Sequence, residues 1–336
     1  MTGVRVGRSA VTVSRFGLGC AQLGNLYTPI GEADATATVA AAWDCGVRYF
    51  DTAPHYGLGL SERRLGDALR TLPRSAYTVS TKVGRLLVPD RSGAGRRDPD
   101  GFDVPADHRR VWDFTADGVR RCLEASLVRL GLDRIDLVLI HDPEDHQTTA
   151  VEQTYPALHE LRAQGVVGAI GVGSKRWQVL HRFVAETDVD AVMVAGRYTL
   201  LEQPALDALL PECRRRGVSV LNAGVFNSGL LAVDRPHPGL PYEYADVPAT
   251  VLARVGAIVE VCGRHGTSLP AAALAFAAAH PTVAAGVVGA HHPDQVRRNT
   301  ALLAAPPPPD EFWSELVAEG LLRPDAPRPT SPVGAG

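Results

Sequence analysis

The chain has 336 residues and a formal net charge of −3, which fits one large domain and gives no indication of a nucleic-acid-binding surface. No apolar run approaches the roughly 20 residues that span a bilayer, and the N-terminus lacks the apolar segment of a signal peptide. Five scattered cysteines without a C-x-x-C pair indicate free thiols, so we expect a cytoplasmic protein.

Short apolar runs alternate with amphipathic segments from end to end. We predict strands at Phe16–Cys20, Val47–Asp51, Tyr77–Thr81, Ile135–Ile140, Val166–Val172, Ala191–Ala195, Val218–Asn222 and Ala284–Val288. We predict helices at Glu32–Cys45, Ser61–Leu69, Thr115–Leu130, Thr148–Gln164, Lys175–Glu186, Gln203–Arg215, Ala249–His265 and Asp294–Leu303. The alternation predicts an α/β fold, a closed (β/α)8 TIM barrel. An open doubly wound sheet is the alternative, and the absence of a complete G-x-G-x-x-G after the first strand argues against it.

Two segments depart from this alternation. The stretch 84–112 is rich in Gly, Pro and charge and too long for an ordinary connection, so we predict a long loop over the active-site mouth. The tail 323–336 is rich in proline and poor in apolar residues, which predicts disorder. The remaining residues, 1–322, are predicted to form a single domain.

Three consecutive predicted strands deliver ionisable side chains where they end. The first leads into FDTAPHYG, with Asp51 and Tyr56, the second into Lys82, and the third into His141. Each group alone could be a strand-end cap, a solvated lysine or a core histidine. Together they predict one shared site, because the carboxyl ends of parallel strands meet at the same face of a barrel.

The set Asp, Tyr, Lys, His in this order resembles the aldo-keto reductase family, whose members reduce carbonyls or oxidise alcohols with a nicotinamide cofactor. The resemblance covers the chain from Phe16 to about Asn299. The longer strings LEASLVRLGLDRIDLVLIHDPEDH, AGRYTLLEQ and NSGLLA are similar to the bacterial branch of D-threo-aldose 1-dehydrogenases and L-fucose dehydrogenases, and pyridoxal 4-dehydrogenase is similar to that branch. The resemblance implies NAD or NADP as cofactor and a small sugar or aldehyde as substrate.

The resemblance gives each of the four residues a role. Tyr56 would be the general acid/base, and Lys82 would lower the pKa of its phenol below the free value. Asp51 would hold Lys82 charged and oriented, because an unpaired buried ammonium is costly. His141, as a neutral imidazole, would donate a hydrogen bond to the substrate oxygen.

The resemblance also implies a cofactor site. Its candidate residues are Ser174, Asn227, Gly229, Leu230, Gly289, Gln295 and Asn299. Several positions depart from the family pattern: Gly173-Ser174 stands for Ser-Asn, Ala195 for a glutamine and Ala223 for a stacking aromatic, which Phe226 or Tyr198 could replace.

Cofactor choice is left open by the same region. Gly289 and Gln295 stand where NADP-selective members carry a lysine and an arginine, which argues against strict use of NADP. Arg297 and Arg298 keep NADP open. No metal site is expected, because the pair His291-His292 has no partner at ligand spacing.

We therefore predict an enzyme that oxidises an aldose of the L-fucose or D-threo-aldose type at C1 to the lactone. The alternatives are an aldehyde or ketone reductase, a pyridoxal 4-dehydrogenase and, from another class, a nucleotide-sensing subunit like the potassium-channel β subunits. A metal-dependent hydrolase is disfavoured, because no second His pair follows a strand. Fold does not name a substrate, so the sequence leaves the aldose, the direction and the oligomeric state open.

Overall fold

The computed structural model describes residues 3–93, 95–243 and 245–329, and no helix within them is long and apolar enough to cross a membrane. The strands are β1 (Gly3–Arg5), β2 (Thr12–Ser14), β3 (Phe16–Gly19), β4 (Tyr49–Asp51), β5 (Thr78–Val83), β6 (Arg85–Pro89), β7 (His108–Trp112), β8 (Ile135–His141), β9 (Val167–Ser174), β10 (Ala191–Ala195), β11 (Ser219–Ala223), β12 (Pro241–Tyr242), β13 (Ala245–Asp246) and β14 (Val283–Gly289). The α-helices are α1 (Glu32–Asp44), α2 (Leu60–Leu69), α3 (Ala116–Leu130), α4 (Gln147–Thr149), α5 (Tyr155–Ala163), α6 (Trp177–Glu186), α7 (Leu209–Arg216), α8 (Ala249–Arg264), α9 (Leu269–Ala277), α10 (Pro293–Ala304) and α11 (Asp310–Ala318).

Eight parallel strands close into a barrel in the order β3, β4, β5, β8, β9, β10, β11 and β14. This confirms the predicted (β/α)8 fold, and the eight predicted strands match these elements with boundary differences of at most two residues. Two helices differ from their predictions. The segment Thr148–Gln164, expected as one helix, is divided by a π-helical stretch, Ala150–Thr154, between α4 and α5. The segment expected as one helix from Gln203 begins with a 3-10 turn, Pro204–Leu206, and α7 starts only at Leu209. Pro211, the third residue of α7, lacks an N–H, which is tolerated in the first turn because the N–H groups there have no partner within the helix.

The core has one layer inside the barrel and one between the barrel and its helices. In β8, Leu137 and Leu139 face the interior, whereas Val138 and Ile140 pack against the outer layer, because successive side chains of a strand alternate between faces. The antiparallel hairpin of β1 and β2 adds Val6 and Val13 to the inner layer. The opposite end of the barrel, where the parallel strands finish, carries the polar residues considered below.

The segment 84–112, predicted as a long loop, begins and ends in strands. Strand β6 pairs with β7 in an antiparallel hairpin, with Arg85 opposite Trp112 and Pro89 opposite His108. The strand signal was the run Arg85–Pro89, which directly follows a glycine after β5. Composition alone missed it, because the long intervening stretch of Gly, Pro and charge dominates the segment.

The start of the predicted disordered tail is ordered by contacts. Arg323 pairs with Asp207 and, over 2.8 Å, with Asp325, while Ala326 is buried against the barrel. The prediction of disorder therefore does not hold for 323–329, since two ion pairs and one buried side chain offset the poor composition. The rest of the predicted tail, 330–336, lies outside the described residues.

A close approach of α2 to α3 generates a stability prediction. A Cβ at Gly66 would lie 2.0 Å from the backbone oxygen of Leu130, so Gly66→Ala should lower the free energy of unfolding by about 1–3 kcal/mol through overpacking. Gly256, exposed within α8, has nothing within 4 Å of the same added atom. Gly256→Ala is the matched control and should raise stability by up to about 1 kcal/mol. Urea denaturation measures both, and equal effects would contradict the packing.

Candidate active site

Lys82 lies at the centre of three hydrogen bonds near the end of β5. Its Nζ donates to Asp51 Oδ2 over 2.7 Å, to the carbonyl oxygen of Thr52 over 2.9 Å and to Tyr56 Oη over 3.1 Å. These three bonds use all three N–H donors of the ammonium. The side chains of Lys82 and Asp51 are only 1% and 4% exposed. The structure thus brings three of the four predicted residues into direct contact, shielded from water.

Strand register positions this cluster. Asp51 is the last residue of β4 and pairs with Ser80 of β5, whose Oγ donates to Asp51 Oδ1 over 2.6 Å. Ser80 Oγ also lies 3.0 Å from Tyr49 Oη. Both carboxylate oxygens of Asp51 are therefore held. Tyr56 follows on the turn after β4, where its backbone N–H donates to Ala53 over 3.1 Å.

His141, the fourth predicted residue, ends β8 and faces the same cluster. Its ring is perpendicular to that of Tyr56, with 6.1 Å between the ring centres. Burial lowers the pKa of His141 well below its ordinary value, and the nearby charges of Arg85 and Lys82 lower it further. The imidazole is therefore neutral near pH 7, so it has one N–H donor and one acceptor nitrogen.

The pKa of Tyr56 differs from the sequence-based expectation. Lys82 acts to lower it, as predicted, but burial outweighs the ammonium and raises the pKa of Tyr56 to about 12. Burial also acts to lower the pKa of Lys82, yet Asp51 and Tyr56 overcome it and raise that pKa above its ordinary value. The expectation of a tyrosine pKa below the free value is wrong here, because desolvation of the phenolate exceeds the attraction of one cation.

His55 packs beside this cluster and was missed by the sequence analysis. Its ring packs edge-on against His141 at 5.7 Å and against Phe102, from the segment between β6 and β7, at 5.2 Å. Burial and then Arg85 lower its pKa to about 2, which keeps it neutral. Its position directly before Tyr56 in the sequence was the only available signal.

A cavity of about 730 Å³ opens above the cluster, within the usual range for small-molecule sites. Tyr56, Lys82 and His141 line one part of it. Six of the seven predicted cofactor residues also line it: Ser174, Asn227, Gly229, Gly289, Gln295 and Asn299. Sequence reasoning missed several further lining residues, and the polar ones among them include Gln22, Asp142, Lys175 and Glu243.

Two predicted cofactor residues are placed differently from expectation. The Leu230 side chain is fully buried in the core and its N–H donates to the carbonyl of Asn227 over 3.2 Å, so it does not line the cavity. Ser174 does line it, but its hydroxyl donates to Glu144 and accepts from the N–H of Arg176. Its hydroxyl proton is therefore already used. Of the two candidate aromatics, Phe226 lines the cavity, whereas Tyr198 is buried in the core.

The polar atoms of the cavity wall fit a bound nucleotide cofactor. Oε1 of Gln22 and Oδ1 of Asn227 are buried and accept no hydrogen bond from the described residues. A buried acceptor without a donor is costly, so a ligand N–H or O–H at these atoms would be stabilised. Gly289 keeps the wall beside Gln22 free, because a Cβ there would lie 2.3 Å from Gln22 Oε1.

Comparison with known proteins identifies the family of the chain. The model of the aldo/keto reductase family matches residues 15–318. The chain belongs to the aldo/keto reductase family. It is therefore an oxidoreductase, and the family implies a nicotinamide cofactor.

Named relatives cover nearly the whole chain. The chain is 47% identical to a D-threo-aldose 1-dehydrogenase of Pseudomonas sp over 317 residues, which are 94% of this chain and 96% of the relative. It is 40% identical to a pyridoxal 4-dehydrogenase of Microbacterium luteolum, over 94% of this chain and 97% of the relative. The holo form of an aldo-keto reductase from Bacillus halodurans superposes with a TM-score of 0.76 at 26% identity, covering 96% and 97% of the two chains.

The raised pKa of Tyr56 predicts a pH profile. With a pKa of about 12, the phenolate fraction is small and increases about tenfold per pH unit in the neutral range. If Tyr56 exchanges the proton, kcat/KM for alcohol oxidation should rise without a plateau from about pH 7 to pH 10, while carbonyl reduction, which uses the phenol, should stay flat. Lys82→Met removes the cation that opposes this shift, so oxidation should fall across the whole range.

Steady-state kinetics at saturating cofactor measure both directions. Lys82→Met also leaves the carboxylate of Asp51 buried without a counter-charge, which destabilises the fold by about 3–5 kcal/mol. The double variant Asp51→Asn, Lys82→Met removes both charges and serves as the folding control. An oxidation plateau below about pH 9 in the wild-type enzyme would contradict the dominance of burial.

Proposed function

We propose that this protein oxidises an aldose at C1 to the lactone and that a nicotinamide cofactor receives the electrons. The observation that carries the proposal is the contact of Lys82 Nζ with both Asp51 and Tyr56 at the cavity. The 47% identity to a protein named D-threo-aldose 1-dehydrogenase, over almost the full length of both chains, supports an aldose as the substrate.

The proton of the C1 hydroxyl goes to Tyr56. In the oxidative direction the phenolate oxygen of Tyr56 accepts this proton as the C1–O bond gains double-bond character. When bound, the nicotinamide supplies the acceptor for the hydride that leaves C1. The Lys82 ammonium, 3.1 Å from Tyr56 Oη, stabilises the phenolate before the transfer, and Asp51 keeps that ammonium charged and oriented.

His141 orients the sugar. As a neutral imidazole that is 9% exposed, it can donate one hydrogen bond to the reacting oxygen without repelling the cation at Lys82. A fixed oxygen position keeps C1 in the geometry needed for transfer, which is a contribution of orientation rather than of charge.

A screen of aldoses with NAD and NADP, followed by absorbance of the reduced nicotinamide, tests the proposal. Tyr56→Phe removes the group that exchanges the proton and should lower kcat by roughly 10²-fold or more, with little effect on cofactor binding. Tyr198→Phe is the matched control, because its hydroxyl is buried in the core and has no hydrogen-bond partner among the described residues. Absence of aldose oxidation, or full activity in Tyr56→Phe, would refute the proposal.

A second candidate is reduction of an aldehyde or ketone, or oxidation of pyridoxal. A phenol with a pKa of about 12 is protonated at neutral pH, which favours proton donation to a carbonyl, and one relative is named pyridoxal 4-dehydrogenase. Pyridoxal and simple aldehydes with the reduced cofactors therefore belong in the same screen. Higher kcat/KM for these substrates than for any aldose would favour this candidate.

For the cofactor we propose that NAD is accepted and that NADP is not strictly required. Gln295 and Asn299 line the cavity and are uncharged, and Arg298 is the arginine of α10 that lines it. Its neighbour Arg297 does not line it and pairs instead with Asp294 over 2.8 Å. A 2′-phosphate would therefore meet one partly exposed cation at this end of the cavity.

Gln295→Arg should shift the preference toward NADP by about 1–3 kcal/mol, because it adds a charge-assisted partner for a 2′-phosphate. The ratio of kcat/KM for the two cofactors measures the shift. Gln164→Arg, an exposed change at the end of α5, is the control for added positive charge. A wild-type enzyme that is strongly selective for NADP would contradict the proposed phosphate end.

A further inference from the structure

Asp142 is a cavity residue to which the reaction described above assigns no task. It follows His141 directly, after the end of β8, and its backbone has a left-handed φ of 44°. Its N–H donates to the carbonyl of Gly173 over 2.9 Å. Because a non-glycine residue adopts this conformation at a cost, the chain is held so that the carboxylate, 33% exposed, lines the cavity.

The hairpin of β6 and β7 holds this carboxylate in place. Arg85, at the start of β6, is 11% exposed and donates from Nη2 to Asp142 Oδ2. The same guanidinium lies over the ring of Trp112, the residue opposite Arg85 in the hairpin, at 4.2 Å from the ring centre. Asp142 therefore has a fixed position, and one of its oxygens, Oδ1, is not used by Arg85.

The carboxylate lies beside the proposed position of the reacting oxygen. Asp142 Oδ2 is 3.5 Å from Nε2 of the His141 ring. A substrate oxygen that accepts a hydrogen bond from His141 lies about 3 Å from the ring nitrogen. The hydroxyl on the neighbouring carbon of the same substrate would then lie within reach of Asp142.

A carboxylate can only accept hydrogen bonds, so its partner must be a donor. Burial raises the pKa of Asp142 to about 6, against the opposing charge of Arg85, so the group is ionised above neutral pH. An aldehyde with only hydrogen on the neighbouring carbon has no donor there, whereas an aldose or another α-hydroxy aldehyde has one. Because Arg85 serves only Oδ2, a bound substrate that shields Oδ1 from water and offers it no donor would be disfavoured.

We infer that Asp142 determines specificity by accepting a hydrogen bond from a hydroxyl on the carbon next to the reacting carbon, with Arg85 as its positioning residue. This inference rests on the proposed function, in which an aldose binds at the same site. It defines the substrate class more narrowly, as compounds that carry one oxygen on the reacting carbon and a hydroxyl on the neighbouring carbon. Simple aldehydes and 2-deoxy sugars are disfavoured.

Matched substrate pairs test the inference. In the oxidative direction, kcat/KM is measured for an accepted aldose and its 2-deoxy analogue, and the wild-type enzyme should prefer the aldose by about 10- to 100-fold. Asp142→Gly removes the carboxylate and suits the left-handed backbone, so the ratio should fall to near one. Asp142→Asn keeps a neutral acceptor and should give an intermediate ratio.

Three further variants separate an effect on specificity from an effect on structure. Asp145→Asn removes a carboxylate from the same loop at an exposed position that does not line the cavity, and the ratio should stay at the wild-type value. Arg85→Ala should lower the ratio by raising KM for the aldose rather than by lowering kcat, and Arg85→Lys should restore part of it. If Asp142 only orients His141, the Asp142 variants should lower kcat/KM equally for both substrates of a pair. The ratio would then not change, and that result would overturn the inference.

A reductive pair separates this inference from the proposed function. 2-Hydroxypropanal and propanal differ only in the neighbouring hydroxyl, and either can be reduced whatever the physiological substrate is. If the wild-type enzyme oxidises no aldose, the proposed function fails, and the reductive ratio in the wild type and Asp142→Gly still decides the role of Asp142. A wild-type ratio near one in every measurable pair would overturn the inference while leaving aldose oxidation intact.

Discussion

A lysine ammonium withdrawn from water costs several kcal/mol unless each of its donors finds an acceptor. Lys82 is 1% exposed, and its three acceptors come from Asp51, Thr52 and Tyr56. These groups belong to two adjacent strands and the turn that follows the first, so the pairing of β4 with β5 sets their positions. The chemistry of the site therefore depends on strand register in the barrel.

The burial that makes this ion pair costly also decides the charge of its neighbours. Desolvation raises the pKa of Tyr56 and lowers those of His55 and His141, so all three side chains are neutral near pH 7. Lys82 keeps its charge because Asp51 lies 2.7 Å away. Tyr56 can therefore keep its proton at neutral pH, while the adjacent cation of Lys82 favours transfer of that proton to a carbonyl oxygen during reduction.

The two sides of the cavity differ in origin and in the hydrogen-bonding groups that they present. On one side, the hairpin of β6 and β7 brings Arg85 to Asp142 beside the reacting position. On the other, buried amide oxygens of Gln22 and Asn227 remain without donors among the described residues, as suits a ligand that donates hydrogen bonds. The barrel thus provides the face on which the site lies, and the segments that connect its strands provide different side chains on the two sides of that face.

The sequence by itself determined the eight strands and the face on which Asp51, Tyr56, Lys82 and His141 meet. Both follow from local patterns. Apolar runs of strand length are visible in the sequence itself, and the carboxyl ends of parallel strands must lie at the same end of the barrel. It did not determine the hairpin within 84–112, the burial of Leu230 or the place of Asp142 at the cavity. Only the tertiary structure decided these, because they depend on contacts between distant segments. The pKa of Tyr56 belongs with them, since the sequence shows that a lysine is near but not how much water the folded barrel excludes.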